Sequence, residues 1–147
     1  MQDLPHHYLA GASATAQSTV EVTSPGLDPI ETAGPPQFGG PDNLWSPETM
    51  LVASIANCFI LTFRAVARAS RIDWISLECS VDGTLEKVDR VTQFTDFQVK
   101  ARLEVPAGTN EAKALKMLDK SERVCLITNS LKADSHLEAE VAVFDKG

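Results

Sequence analysis

A chain of 147 residues has the length of one domain, enough to bury a sizeable core, and its 44 % apolar content marks it as a folding chain and not a disordered one. Acidic side chains outnumber basic ones 20 to 13, a net charge of −7, and no Lys/Arg cluster offsets that field. Such a balance repels a phosphate backbone and argues against nucleic-acid binding.

The opening "MQDLPHHYLAG" is not a basic and apolar leader, so a cytoplasmic location is expected. In "STVEVTS" Val20 and Val22 alternate with Thr19 and Glu21 before the turn-rich "SPGLDP", which predicts a short hairpin. Residues 34–47, "GPPQFGGPDNLWSP", are too rich in Gly and Pro for regular structure, and Phe38 and Trp45 suit a shaped loop that packs onto the body. A helix start follows: Ser46 can cap, Pro47 suits the first helical position, and Glu48 puts negative charge in the first turn. From there to Ala69 apolar or small residues run almost all the way round, with Arg64, Arg68 and Arg71 near the carboxyl end. Such a helix is central, or is covered by a second subunit as well as by its own sheet. Its most apolar run, Met50 to Phe63, is shorter than the ~20 residues a bilayer requires and reads as buried, so no membrane partner is expected.

"WISLECSVDG" and "FQVKARLEV" each alternate apolar and polar residues, predicting half-buried strands in an antiparallel sheet with one wet face. Asn110 can cap a helix through "EAKALKMLDKSERV"; "LITNSL" is short helix or irregular, and "HLEAEVAVF" is a last alternating strand. The whole, residues 1–147, reads as one α+β domain.

Three cysteines cannot all pair within one chain, and Cys58, Cys79 and Cys125 show no CxxC spacing. Cys79 belongs to a strand's apolar set and reads as packing. Cys58 and Cys125 lie in or beside helices, where packing is the plain reading for either alone. Together they allow a second one: a thiolate opens a peroxide bond, becomes a sulfenic acid, and is resolved by the other thiol. That chemistry needs a lowered thiol pKa, and residues 1–63 contain no Lys or Arg. The available cations are His6, His7, Arg64 and Arg123. Glu48 precedes Cys58 by ten residues, a rise of ~15 Å on a straight helix. The two share a site only if the helix breaks or two chains build it, and first-turn charge is a sufficient structural role for Glu48. His6, His7 and His136 have no metal-ligand spacing, and no metal or other cofactor is expected.

With these features assembled, the chain resembles the OsmC/Ohr family of osmotically inducible and organic hydroperoxide resistance proteins. The resemblance is carried by "FGGPDNLWSPETMLVASIANCF", "LECSVDGTLEKV" and "KSERVCLITNSL", and runs from about His7 to Val143. It implies an α+β fold of antiparallel sheets with a long central helix, intertwined as a homodimer with sites at the subunit interface. It further implies a thiol peroxidase for organic hydroperoxides, re-reduced by a small dithiol or a lipoylated protein. By the same resemblance Cys58 is the peroxidatic cysteine, Cys125 the resolving one, and Glu48 the glutamate that holds an active-site arginine. Two departures stand out: no arginine precedes Arg64, and Leu126 follows Cys125 where the family commonly has Pro. The alternative is a non-catalytic OsmC-like dimer that binds a small apolar or thiol-containing ligand at its interface.

Overall fold

The computed structural model describes residues 1–144, which form two compact units, Met1–Leu51 and a second beginning at Val52. The first unit holds a three-stranded antiparallel sheet of β1 (Gly11–Ser13), β2 (Val20–Thr23) and β3 (Ile30–Thr32), in that order. The expected hairpin is β2–β3, with Val20 opposite Thr32 and Val22 opposite Ile30. β1 was not legible because "GAS" contains no β-branched or aromatic residue.

The glycine-rich loop after β3 uses its glycines for different reasons. Gly39 ends a short 3-10 turn, Pro36–Phe38, with φ of 87°, a left-handed conformation that favours glycine. Gly40 sits so close to the backbone of Gly34 that any Cβ would overlap the Gly34 carbonyl. Trp45 then bridges to Thr32 and brings the chain to helix α1 (Pro47–Ser70).

The start of α1 is a reciprocal cap. The Thr49 N–H donates to Ser46 Oγ at 3.1 Å, and the Ser46 N–H donates to Thr49 Oγ1 at 2.9 Å. Pro47 occupies the first helical position, where no N–H is required. The helix then runs unbroken for 24 residues, longer than the apolar run Met50–Phe63 suggested. Small and apolar residues such as Ala65, Val66 and Ala67 extend its apolar character past Arg64, so by length and composition alone it could cross a membrane. Nor is it wholly buried. Ile55, Phe59, Phe63, Val66 and Ala67 are enclosed, while Leu61 is 53 % exposed.

The second unit adds a three-stranded sheet of β4 (Ser76–Val88), β5 (Val91–Pro106) and β6 (Asp134–Phe144), with β5 in the middle. β4 and β5 form one long hairpin, extending both predicted strands to a two-residue turn at Asp89 and Arg90. Both turn residues have positive φ, 49° and 70°, which matches the twist of the flanking strands. The antiparallel expectation holds for β1–β2, β2–β3 and β4–β5, whereas β6 pairs parallel to β5, with Val99 opposite Leu137. The parallel pairing follows from the connection: helices α2 (Glu111–Arg123) and α3 (Leu126–Asn129) carry the chain back before β6 begins.

Period-two alternation puts Phe97, Val99, Ala101, Leu103 and Val105 on the inner face of β5, and all are buried. With the enclosed residues of α1, and with Ala114 and Leu118 of α2, they make the core. Phe63 meets Trp74 edge-on, ring centres 5.5 Å apart. The Ser70 hydroxyl at the end of α1 reaches Met117 Sδ at 2.9 Å, and Lys113 Nζ donates to the Ser70 carbonyl at 3.1 Å, so α1 and α2 are tied together. The outer face carries charge pairs, including Arg102 with Glu140 at 3.1 Å and His136 with Asp96 at 2.9 Å.

Candidate redox site

The middle of α1 and the junction between α2 and α3 bring Cys58 and Cys125 together. Cys58 is half-buried, between the enclosed Ile55 and Phe59, and its Sγ lies 3.7 Å from Thr62 Oγ1 one turn on. Cys125 is fully buried and caps α3 with its backbone, leaving its side chain free of any capping bond. The first N–H groups of a helix have no partner within it. Those of Leu126 and Ile127 lie near enough to the Cys58 sulfur to favour its thiolate. All three cysteines are free thiols.

The two thiols are neighbours close enough to shift each other's ionisation, and their acidities move apart. Burial works against ionising Cys58, but the Ile127 N–H, the Cys125 thiol, the Thr62 hydroxyl and the Leu126 N–H outweigh it and lower its pKa. Cys125 moves the opposite way: burial raises its pKa, and Cys58 beside it adds to the rise, against the lowering by Thr128. Within the pair the proton therefore belongs to Cys125 and the thiolate character to Cys58. Cys79, on the inner face of β4, is pushed up to about 11, first by burial and then by repulsion from Cys125, as its packing role requires.

The donors that lower Cys58 are neutral. Arg64 and Arg123, the cations the sequence offered near the thiols, are both exposed. Sequence reasoning missed Thr62 and the two amides. Thr62 was findable, because residues four apart share a helix face. The amides were not, since nothing in the order of side chains says where a later helix will point its N–H groups. Leu126 acquires a meaning here: a proline in its place has no N–H to give.

Glu48 is not delivered to the thiols by its own helix, because α1 is continuous and the ~15 Å rise between positions 48 and 58 stands. It lies in the first unit with its Oε2 buried and, among the described residues, without a hydrogen-bond partner. Among the described residues no group of three or more His, Cys, Asp or Glu side chains is arranged to hold a metal ion.

An α+β chain with two adjacent thiols whose acidities shift in opposite directions is a redox-capable thiol protein. The chain belongs to the OsmC-like protein family, whose profile matches residues 40–140. It is similar to the uncharacterized protein YmaD of Bacillus subtilis, 22 % identical over 112 residues that cover 74 % of this chain and 75 % of that one. Solved structures share the fold. An OsmC-like protein of unknown function from Vibrio cholerae superposes with a TM-score of 0.84 at 19 % identity, covering 92 % of this chain and all of that one. An organic hydroperoxide resistance protein OsmC from Legionella pneumophila gives 0.76 at 22 % identity, covering 96 % of this chain and all of that one. A third, from Elizabethkingia anophelis with thiocyanate bound, gives 0.74 at 19 %, again over 96 % and 100 %. Family and thiol pair together support a general redox role.

Proposed function

We propose that the protein is a thiol-dependent peroxidase that reduces organic hydroperoxides. The observation that carries this reading is the adjacency of Cys58 and Cys125, brought together by the middle of α1 and the start of α3, with ionisation shifted in opposite directions. It supplies an attacking thiolate and a protonated thiol side by side.

The Cys58 thiolate attacks the outer oxygen of the hydroperoxide. An S–O bond forms as the O–O bond breaks, and the alkoxide takes a proton from solvent to leave as the alcohol. The Cys125 sulfur then attacks the Cys58 sulfenic acid; the S–S bond forms, and the hydroxyl leaves with the Cys125 proton as water. Two electrons from a small dithiol or a lipoylated protein return both thiols. The donor groups of Leu126, Ile127 and Thr62 replace, in this chain, the cation that residues 1–63 do not supply.

The active form is an intertwined homodimer in the cytoplasm, each chain acting as one domain. The apolar surface that α1 leaves open, Leu61 included, supports a partner chain as its cover. In that dimer Glu48 of the partner subunit serves the Cys58–Cys125 pair as a positioning residue. The test is consumption of cumene hydroperoxide with dithiothreitol and with dihydrolipoamide, comparing wild type with Cys58→Ser and Cys125→Ser. Turnover that disappears with Cys58→Ser, together with a Cys58–Cys125 disulfide in the peroxide-treated protein, is the expected result. Both thiols untouched by a mild excess of hydroperoxide would overturn the reading and leave a non-catalytic ligand-binding dimer.

A further inference from the structure

Cys79 is the thiol that the peroxide chemistry leaves unused, and the fold brings it level with the other two. Leu77, Cys79, Val81 and Gly83 share one face of β4, the half-buried side of its alternation. Two contacts fix how α1 lies against that face. At one end a Cβ on Gly83 would come within 3.0 Å of Val52 Cγ2, and at the other Phe63 meets Trp74 just ahead of the strand. The helix therefore runs in the opposite direction to β4. Cys58 falls near the middle of residues 52–63 and Cys79 near the middle of residues 74–83, so the two stand at one height. Cys125, the buried neighbour of Cys58, completes the cluster, since its charge reaches Cys79.

Three thiols allow an exchange that two do not. A thiol attacks a disulfide at one sulfur and releases the other, and the sulfur of lower pKa leaves faster. In a Cys58–Cys125 disulfide that sulfur is Cys58, whose thiolate is favoured by the Thr62 hydroxyl and the amides at the start of α3. Attack is thereby directed to Cys125. Cys79 holds its proton at neutral pH, its pKa pushed up to about 11, so the exchange is slower than the disulfide formation that precedes it.

We propose that Cys79 is a third redox thiol, which takes the disulfide over from Cys58. The Cys79 sulfur gives up its proton to solvent and attacks Cys125; the Cys79–Cys125 bond forms as the Cys125–Cys58 bond breaks, and Cys58 leaves as a thiolate. No electrons enter or leave the protein. It stays oxidised, yet its attacking thiol is free again. The proposal rests on the peroxidase reading for the source of the first disulfide; diamide, which oxidises paired thiols directly and is itself reduced to the hydrazine, supplies the same disulfide without that reading.

Peptide mapping of the full-length protein by mass spectrometry tests it, with samples quenched by iodoacetamide at rising times after an equimolar amount of cumene hydroperoxide or of diamide. In both arms Cys58–Cys125 should appear first and then give way to Cys79–Cys125 as the major disulfide, with Cys58 open to alkylation once more. In Cys79→Ala the first disulfide should persist and Cys58 stay closed, and in Cys58→Ser diamide should join Cys79 to Cys125 directly. A Cys58–Cys125 disulfide that persists in the wild type, with Cys79 still a thiol, would overturn the proposal and leave the peroxidase reading standing. A Cys58–Cys79 disulfide would overturn it as well, by making Cys79 a resolving thiol. Thiols untouched by hydroperoxide that still pass the diamide-made disulfide to Cys79 would uphold the exchange and overturn the peroxidase reading, whereas no disulfide in either arm would overturn both.

Discussion

The surroundings of Cys58 and those of Glu48 treat an ionisable group in opposite ways. Around Cys58 the second unit gathers four donors, two of them backbone amides at the start of α3, and the thiol becomes more acidic despite its burial. Around Glu48 the first unit gathers apolar side chains and, among the described residues, leaves Oε2 without a donor. Burial alone does not tell the two apart; the count of donors does.

The comparison breaks most sharply at Cys58 itself. Cys58→Ser should reduce hydroperoxide turnover to that of a protein-free blank, while Cys125→Ser should stop at the sulfenic acid, trapped with dimedone and seen by mass spectrometry. Next in size is the packing that holds the thiol side in place. Phe63 is wholly enclosed, so Phe63→Ala should cost about 3 to 5 kcal/mol in chemical denaturation, against Leu61→Ala, which is half-exposed and should cost much less unless a partner chain covers it. Smaller again is the cap on the Glu48 side of α1. Ser46→Ala removes the acceptor of the Thr49 N–H and should cost about 1 kcal/mol by the same measurement.

The smallest effects sharpen the contrast at the level of single donors. Leu126→Pro removes one amide donor at a position where α3 tolerates proline. Thr62→Val removes a hydroxyl of nearly the same shape. Each should raise the Cys58 pKa and slow its alkylation near neutral pH by a few-fold at most, with the rate recovered at high pH. The sign follows from the shifts: a lowered pKa gives Cys58 its thiolate at a pH where ordinary thiols are still protonated, so iodoacetamide should label Cys58 first as pH rises. Cys125 should follow above the ordinary thiol range, and Cys79 should reach half-ionisation only near pH 11.

Much of the fold was legible because its local signals were strong. The Ser46–Pro47–Glu48 start, the Asn110 cap, which accepts from the Lys113 N–H at 3.0 Å, and the alternation in β4, β5 and β6 each reflect local backbone requirements that side chains reveal directly. What escaped was set by distance in sequence. The parallel pairing of β6 depends on the crossover through α2 and α3, and the length of β4 and β5 depends on a turn of Asp89 and Arg90 that lacks the usual glycine. The thiol pair was legible as a possibility, since Cys58 and Cys125 were the two cysteines outside a strand. The means of lowering the Cys58 pKa was not: the amides of residues 126 and 127 favour its thiolate, and no side-chain pattern encodes where they point.

Cys58 and Cys125 stand 67 positions apart, on either side of the β4–β5 hairpin and α2. Joining them ties the unfolded chain into a large ring, which by chain entropy removes enough disorder to favour the folded state by about 4 kcal/mol. The oxidised protein should accordingly outlast the reduced one on heating. The melting curve then becomes a gauge of how much oxidant the protein has met, readable without following a single turnover.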